Sequence, residues 1–336
     1  MTDQPEIDPA IASALAGLPA DYRDFARIFQ DEIRPALHER EEDRVRAVAK
    51  ARQSRWIGIL IGLVIGGGGL LIFKSLFPLF FGGIAGFGYA AWGAQGVRSI
   101  GREAKTLLVN PVVRQLGLTF TVAPGEVPTI FRHKELGLVP GWDRSKYEDL
   151  VTGTREGVDF ELFEAHLEER RTSTDSKGRT TTRWVTVFKG QCLKFSFDKR
   201  FYGRTLVTRD AGFFNRFGGG KGMTRAALED PKFEKIFEVY TTDQVEARYL
   251  LTPDLMQELV DLEEAFHGGK LKCCFDGGEL YITLQGGDLF EPGSMYEPLD
   301  NPARVRELLN DFMAVFQIIS ATNANRRRYN RNDEAE

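Results

Sequence analysis

Two apolar runs organise this chain. Trp56–Phe73 reads WIGILIGLVIGGGGLLIF, and Leu76–Ala94 reads LFPLFFGGIAGFGYAAWGA, with Lys74-Ser75 between them. Neither run contains Asp, Glu, Lys, Arg or His. Each is close to the roughly 20 residues that a helix needs to cross ~30 Å of hydrocarbon. We therefore predict a two-helix transmembrane hairpin over residues 56–94. The alternative is a hairpin that dips into the bilayer without crossing it, because both runs are slightly short.

Basic residues flank this hairpin on both sides, whereas its turn offers Lys74 alone. Short basic flanks stay on the cytoplasmic side of a membrane, so we predict a two-pass protein with both termini in the cytoplasm. Trp56 and Trp92 lie where interfacial aromatic residues are expected on that side. The flanking residues are Arg44, Arg46, Lys50, Arg52 and Arg55 before the hairpin, and Arg98, Arg102 and Lys105 after it.

Small residues recur every four positions in both apolar runs, and they are Gly58, Gly62 and Gly66 in the first and Gly82, Gly86 and Ala90 in the second. Such stripes let two helix backbones approach closely in lipid. Two interpretations remain open: the stripes join the two helices of one hairpin, or one of them builds a homo-oligomer. The first is favoured, because a hairpin needs at least one such seam.

The rest of the chain predicts an α+β fold with a mainly antiparallel, β-rich cytosolic domain and packed helices. Alternating apolar residues predict several strands after residue 158, and Asp276-Gly277-Gly278 is typical of a hairpin turn. The predicted organisation is a disordered acidic start (1–20), an amphipathic helix (21–55), the hairpin (56–94), a helical stalk and connector (95–157), the α+β domain (158–325) and a disordered tail (326–336).

Proline and capping signals refine these elements. Pro35 predicts a kink or a split in the first helix, and the helix after the hairpin is expected to end near Asn110-Pro111. Thr252-Pro253 predicts a helix start. Strands are predicted at 158–169, 181–189, 191–198, 204–208, 233–240 and 244–251.

Composition excludes several classes of function. A net charge of −4 over 336 residues argues against a general nucleic-acid binder. The three cysteines have no framework spacing, which is typical of a reducing compartment. The four histidines are scattered, so we predict neither a metal site nor a cofactor. The polar N-terminus predicts no signal peptide.

Two polar loops are candidates for contacts with anionic lipid or with a partner protein. Basic residues next to exposed aromatic residues suit the headgroup region of a membrane. The opposing interpretation is a solvated hairpin tip in the first loop and inward-packed phenylalanines in the second. The candidate residues are Arg170, Arg171, Lys177 and Arg179 in the first loop, and Phe213, Phe214, Phe217 and Lys221 in the second.

Three charged residues, Asp243, Glu246 and Arg248, are the strongest candidates for acid–base chemistry. If residues 244–251 form a strand, Glu246 and Arg248 share one face, and an ion pair is the simplest interpretation. A hydrolase-like site near Asp243–Arg248 is the alternative, and it would require a cleft with perturbed pKa values.

Three stretches resemble the bacterial family named domain of unknown function 3137: Val187–Gly190, Phe201–Thr205 and, above all, Phe237–Pro253. The resemblance covers roughly residues 110–320. It implies a bacterial inner-membrane protein with a helical start, two membrane helices and a cytosolic domain. It implies no activity, so no functional residue can be transferred.

We therefore expect a membrane-anchored, non-enzymatic interaction or scaffold module of the inner membrane. Its expected partners are the lipid bilayer and another membrane or cytosolic protein, and we predict no nucleic-acid partner. The alternatives are the membrane-tethered hydrolase already described and a small oligomeric, channel-like assembly. The apolar runs offer no polar lining for a channel.

Overall fold

The computed structural model describes residues 8–14, 24–196, 202–209, 222–228, 230–265, 270–286, 290–291, 293–313 and 315–316. The chain divides into two compact units, Met1–Val112 with Phe290–Leu308, and Val113–Leu289 with Leu309–Glu336. The first unit is helical and the second is built on a sheet. The helices before the sheet are Pro9–Ala14, Phe25–Phe73, Phe77–Gly93 and Gln95–Gln115.

The Phe25–Phe73 helix is 49 residues long and continues through Pro35. The sequence predicts a kink or a split there, but the structure keeps one helix. A π-helical segment, Phe29–Ile33, directly precedes the proline. Such segments rearrange the backbone hydrogen-bond ladder, which a proline interrupts by lacking an N–H group. A second π-helical segment, Leu63–Gly67, includes the first two of the four consecutive glycines, Gly66–Gly69.

One helix in the described part of the chain is long and apolar enough to span a membrane, and it is Phe25–Phe73. Only 11% of its most apolar 18-residue window is buried, unlike a helix in a soluble core. The Phe77–Gly93 helix is also strongly apolar but has 17 residues. The expected apolar helix near the N-terminus is therefore present, and the two-pass topology stays a prediction.

The helix that follows, Gln95–Gln115, continues past Pro111. The predicted end near Asn110-Pro111 is therefore wrong. Val109, Val112 and Val113 on either side of the proline are almost completely buried. Burial of apolar side chains outweighs the loss of one backbone hydrogen bond at proline.

Among the described residues of the second unit, nine antiparallel strands form one sheet, in the order β1-β2-β3-β4-β9-β8-β5-β7-β6. The expected α+β fold with a large antiparallel sheet is confirmed. The strands are β1 Thr119–Thr121, β2 Arg144–Arg155, β3 Val158–Thr174, β4 Thr180–Ser196, β5 Thr205–Arg209, β6 Thr224–Ala226, β7 Phe237–Thr241, β8 Lys270–Asp276 and β9 Glu279–Gln285.

The segment predicted as a connector carries regular structure. It contains β1, the Thr129–Glu135 helix and the 12-residue strand β2. A bulge interrupts β2 between Glu148 and Val151, and Asp149 has a positive φ of 56° there. The bulge breaks the alternation of apolar and polar residues, which is why the pattern gives no clear strand.

The two strands predicted at 181–189 and 191–198 are one continuous strand, β4. Gly190 lies in the interior of β4, and in the sequence it suggests that one strand ends there and another begins. A Cβ atom at this position would collide with the carbonyl oxygen of Leu284 on β9. The glycine therefore permits close approach of two paired strands rather than ending one of them.

The segment predicted as a strand at 233–240 is half helix and half strand, and the one predicted at 244–251 is helical. The first is the Pro231–Ile236 helix followed by β7, and the second is the Gln244–Leu250 helix. Each helix begins after an aspartate, Asp230 or Asp243, whose carboxylate accepts backbone hydrogen bonds from the first turn. These caps outweigh the strand preference of the aromatic and β-branched residues that follow.

Other predicted boundaries are confirmed. Gly277 and Gly278 connect β8 to β9, and both have positive φ values of 62° and 83°, which a tight two-residue turn requires. The Pro253–Ala265 helix begins after Thr252, whose hydroxyl accepts a hydrogen bond from the Leu255 amide. The last helix covers residues 303–313 and 315–316.

Both faces of the sheet are covered in the second unit. The Thr129–Glu135 helix covers one face, where Ile130 packs with Phe163 and Cys192. Residue alternation places Leu193 and Phe195 of β4 on the opposite face, and Phe160 there meets Phe316 edge-to-face at 5.9 Å. The sheet is therefore the middle layer of this unit.

His133 joins the Thr129–Glu135 helix to the sheet. Its Nδ1 lies 3.0 Å from the Thr129 carbonyl oxygen and its Nε2 lies 3.2 Å from that of Leu193. Burial lowers the pKa of His133, and the two carbonyl groups oppose this shift without reversing it. The histidine is therefore structural, as its isolation in the sequence suggests.

We predict that acid destabilises the sheet unit through His133. The folded pKa lies below the unfolded value of about 6.5, so protons bind preferentially to the unfolded chain and stability is lost as the pH falls below that value. Urea unfolding from pH 7.5 to pH 5.5 measures the effect, whose slope is at most about 1.4 kcal/mol per pH unit. His133→Gln should flatten the slope, whereas His166→Gln, which removes a surface hydrogen bond to Thr186, should not. Equal slopes in both variants would contradict the assignment.

Candidate functional site

The two apolar helices of the first unit pack backbone to backbone along their small residues, here called the glycine seam. A Cβ atom at Gly86 would collide with the Gly58 oxygen, and one at Gly58 would collide with the Gly86 oxygen. An ideal Cβ at Gly82 would lie 2.6 Å from a Gly66 nitrogen. All six predicted packing residues lie on this seam: Gly58, Gly62, Gly66, Gly82, Gly86 and Ala90.

The seam extends to both ends of the helix pair. At the end near the turn, a Cβ atom on Gly69 would meet the ring of Pro78, and at the other end one on Gly93 would meet Ser54. Lys74 closes the turn in the left-handed conformation, with φ 47°. The stripe therefore makes a contact within one chain, and the homo-oligomer interpretation stays untested.

The outer surface of the helix pair is apolar and exposed. Leu71, Phe77 and Phe87 are 80%, 75% and 77% exposed. Contiguous apolar patches of this size are rare on soluble monomers and mark contacts with membrane or protein. Further exposed side chains on these helices are Ile59, Leu60, Leu63, Val64, Ile72, Phe73, Phe80, Phe81 and Ile84, and Leu76 is exposed in the turn.

Tryptophan and basic side chains mark the end of the helix pair remote from the turn. The Lys50 amine lies 4.7 Å from the centre of the Trp92 ring. Arg46, Lys50 and Trp92 line one groove of about 300 Å³. A second groove, of about 500 Å³, lies between Arg52 and Trp56. Amphipathic rings beside cationic amines are typical of the boundary between hydrocarbon and headgroups.

We predict that a side chain on the seam separates the two helices, whereas one beside the seam does not. Gly86→Val should disrupt the pair because the methyl groups meet the Gly58 carbonyl. Gly88→Val on the same helix is the matched control, since nothing lies within 4 Å of its Cβ position. Disulfide formation between cysteines introduced at Ala47 and Gly96, whose Cβ positions lie 3.5 Å apart, measures the pairing. Equal cross-linking in both variants would contradict the seam.

The first candidate loop is a long two-stranded ribbon formed by the ends of β3 and β4. Beyond the Arg144–Glu168 and Gly190–Gln285 pairs, these two strands pair within the described residues with each other alone. From Glu169 to Thr174 the ribbon extends about 20 Å at roughly 3.3 Å per residue. Asp175 holds its turn by accepting hydrogen bonds at 2.9 Å from the amides of Lys177 and Arg179.

The ribbon carries its positive charge on both faces and at its tip. Arg171 lies directly opposite Arg183, a pairing of like charges that opposes strand association. Arg170 lies on the other face, opposite Trp184. The Arg144 guanidinium stacks on that tryptophan at 4.2 Å. All four predicted basic residues of this loop are therefore exposed on the ribbon.

The second candidate loop cannot be placed in this way. Phe213, Phe214, Phe217 and Lys221 lie outside the described residues. Neither the inward-packed nor the lipid-facing interpretation is tested for them.

The acidic residues near Asp243 support local structure. Asp243 caps the Gln244–Leu250 helix, accepting hydrogen bonds from the amides of Val245 and Glu246 at 2.9 and 3.0 Å. Asp243 and Arg248 are exposed, and the segment is a helix rather than the predicted strand. The predicted alternation that placed Glu246 and Arg248 on one strand face is therefore wrong.

Glu246 joins two of the family-like stretches. Its carboxylate accepts hydrogen bonds from the amides of Tyr202 and Gly203 at 2.9 and 2.6 Å. A Cβ at Gly203 would lie 2.5 Å from a carboxylate oxygen, so glycine is required for this approach. Thr242 accepts a hydrogen bond from the Arg204 amide at 2.8 Å. The carboxylates of this region are therefore bound by backbone groups, and the geometry gives no support to the hydrolase alternative.

We predict that Glu246→Ala destabilises the sheet unit by about 1–3 kcal/mol, because two backbone amides lose their acceptor. Val245→Ala, at a neighbouring position that is 77% exposed, should change stability by less than about 0.5 kcal/mol. Urea unfolding of the two variants measures the difference. A loss equal to that of the control would show that water replaces the carboxylate without cost.

Comparison with known proteins bears on the region just described. Residues 186–323 match the family model "Protein of unknown function (DUF3137)". The family resemblance predicted from the sequence is confirmed for this segment, which begins later than the expected residue 110. No curated protein matches the chain.

The DUF3137 segment runs from the middle of β4 to the last helix. It contains both stretches that Glu246 joins, so the structure gives these family-like residues a folding role. One solved structure is similar in part, "crystal structure of the mycobacterial trehalose monomycolate transport factor A, TtfA". It is 7% identical, covers 63% of this chain and 94% of that chain, and has a TM-score of 0.34. A likeness of this size carries no argument about function.

Proposed function

We propose that this chain is a membrane-anchored, non-enzymatic interaction module of the bacterial inner membrane. In this proposal the helix pair crosses the bilayer twice, and the sheet unit binds a partner protein in the cytoplasm. The observation that carries the proposal is the apolar outer surface of a helix pair whose inner contact is made by glycine. Large apolar side chains face outward and small residues face the other helix, an arrangement that is favourable when lipid surrounds the pair.

The dimensions of the helix pair support two crossings. Trp56–Phe73 contains 18 residues and Phe77–Gly93 contains 17, so they extend about 27 and 25 Å at 1.5 Å per residue. A hydrocarbon core of ~30 Å adapts to this small deficit by thinning locally, at a fraction of a kcal/mol per Å.

The charges support both termini in the cytoplasm. Lys50 and Arg46 lie beside Trp92 at the end remote from the turn, while Lys74 is the basic residue at the turn. Basic residues near membrane helices are retained on the cytoplasmic side. The turn would then lie on the periplasmic side.

Cysteine labelling in intact cells tests this topology. The natural cysteines, Cys192, Cys273 and Cys274, are fully buried, and burial raises the pKa of Cys274 to about 12, so their thiols should not react. Ser75→Cys in the turn should react with a membrane-impermeant maleimide from outside. Ser99→Cys, just after the hairpin, should react only after permeabilisation.

The possible labelling patterns separate the topologies. Labelling of Ser75→Cys only after permeabilisation would support the re-entrant hairpin instead. External labelling of Ser99→Cys would reverse the orientation. Release of the chain from membranes by alkaline carbonate without detergent would reject membrane anchoring altogether.

We further propose that the β3–β4 ribbon binds anionic lipid headgroups. The directly opposed Arg171 and Arg183 support this. The Glu169 carboxylate, 3.0 Å from Arg171, offsets one of these charges, and an anionic surface would offset the other. Each basic side chain near an anionic surface contributes about 1 kcal/mol. The opposing interpretation, a solvated tip, is consistent with the threonine pairs near the turn.

Trypsin cleavage at the ribbon turn distinguishes the two interpretations. In nanodiscs with anionic lipid, cleavage after Lys177 and Arg179 should slow relative to nanodiscs of zwitterionic lipid. The double variant Arg170→Glu with Arg171→Glu should lose this protection, since it removes about 2 kcal/mol or more of attraction. Equal cleavage in both lipids would favour the solvated tip.

A further inference from the structure

A groove on the sheet unit gathers two lysines. The groove, here called the lysine pocket, has a volume of about 280 Å³. Its floor is formed by β8 and β9, and its walls by the loop 137–140 and by β4. The lining residues are Gly137, Leu138, Val139, Pro140, Val187, Phe188, Lys270, Lys272, Thr283 and Gln285.

Strand register puts the polar groups of the lysine pocket side by side. Lys270 lies opposite Gln285, and Lys272 lies opposite Thr283. Successive side chains of β8 alternate between faces, so both lysines lie on one face of the strand. The Thr283 hydroxyl faces the same side and lies 3.5 Å from the Leu138 carbonyl oxygen. The hydroxyl donates to that carbonyl group, so two ammonium groups and one amide group remain to line this small volume.

The lysine pocket contains no acidic residue to balance its charge. None of the ten lining residues is Asp or Glu. In the described part of the chain, no carboxylate lies within ion-pair distance of Lys272, which is half-buried. Burial lowers the pKa of this lysine, and the neighbouring Lys270 lowers it further. Burying a cation without an anion costs free energy, which a bound anion would recover.

The opposite end of β8 shows what a balanced site looks like in this sheet. Asp276, four residues along from Lys272, contacts the guanidinium groups of Arg132 and Arg204. Arg132 also pairs with Glu135, so two cations there have two carboxylates. Among the described residues the lysine pocket has two cations and no carboxylate, so it lacks the anion that the same strand supplies elsewhere.

We propose that the lysine pocket binds a phosphate monoester through Lys270 and Lys272. Two ammonium groups match the two negative charges of a phosphate monoester, and lysine binds phosphate as a point charge. The pocket volume lies near the lower end of the range for small-molecule sites, which suits a headgroup-sized ligand. Residues of the sheet unit alone form this pocket, so the inference does not depend on the membrane topology.

Thermal unfolding of the full chain in nanodiscs of zwitterionic lipid tests the proposal. Inorganic phosphate should raise the unfolding midpoint of the sheet unit above that in chloride at equal ionic strength. Lys272→Met should weaken phosphate binding by about tenfold or more, the loss expected for one charge-assisted hydrogen bond. Lys272→Arg should retain binding, and Lys232→Met, which removes an exposed lysine paired with Glu264, should have no effect.

The unliganded variant gives a second readout. Without phosphate, Lys272→Met should unfold at the same temperature as the unsubstituted chain or a higher one, because it removes a buried, unbalanced charge. A lower midpoint would show that Lys272 already has an anionic partner in the chain. A phosphate-induced shift that persists in Lys272→Met would reflect general salt stabilisation. Either result, or no shift with phosphate, would overturn the proposal.

Two further arms separate the sources of the phosphate group. Glycerol 3-phosphate represents a free metabolite, and nanodiscs with phosphatidic acid represent a membrane lipid. If the lipid occupies the pocket, added inorganic phosphate should no longer shift the midpoint in phosphatidic acid nanodiscs. If the ligand is a free metabolite, glycerol 3-phosphate should compete with phosphate while the lipid does not. Either pattern supports the pocket and identifies the source.

Discussion

Direct contact between the backbones of two apolar helices determines the organisation of the first unit. In lipid, burial of apolar surface gives no net advantage, so two helices associate through packing at short range. Gly58 and Gly86 allow the two backbones to come this close, because a side chain at either position would collide with the carbonyl oxygen of the other. The bulky residues consequently point outward, and the same sequence that brings the helices together creates an exposed apolar surface.

A different interaction, between carboxylates and backbone amides, organises the segment matched by the DUF3137 family model. Asp230 and Asp243 begin helices, and Glu246 closes the loop at Tyr202-Gly203 onto one of them. Each carboxylate satisfies two amides that would otherwise need water. Acidic residues that suggest chemistry in the sequence thus have a folding role here, and this removes the main structural argument for an enzyme at this position.

The sequence predicts features whose signals are local and strong. The apolar runs and the Gly277-Gly278 turn are examples, because a long uncharged stretch and two adjacent glycines have few alternative structures. It fails where a weak local signal competes with a stronger pattern. Asp243 begins a helix as Thr252 does, but the cap is followed by residues that fit a strand equally well. Gly190 looks like a strand end, and only the neighbouring strand explains it.

Candidate sites follow the same rule. The glycine seam and the basic ribbon are contained in short stretches, so spacing alone identifies their residues. The residues of the lysine pocket are not contained in one stretch. Lys270 and Lys272 form a site only together with Thr283 and Gln285 of β9 and with the loop 137–140, more than a hundred residues earlier in the chain. An alternation of lysine and apolar residues on a strand is ordinarily a solvated face. Here the walls of the groove keep water from Lys272, so its positive charge costs free energy.

The charges of the sheet unit therefore divide into two groups. At Asp276 and Glu246, described donors and acceptors satisfy each other, so these regions are complete within one chain. At Lys270–Lys272 one cation lies beside another, and Arg183 lies opposite Arg171, which itself pairs with Glu169. Such arrangements cost stability unless something outside the chain offsets them. A module that binds partners is expected to keep unbalanced charges where the partners bind, and among the described residues Lys270 and Lys272 are the pair with no carboxylate beside them.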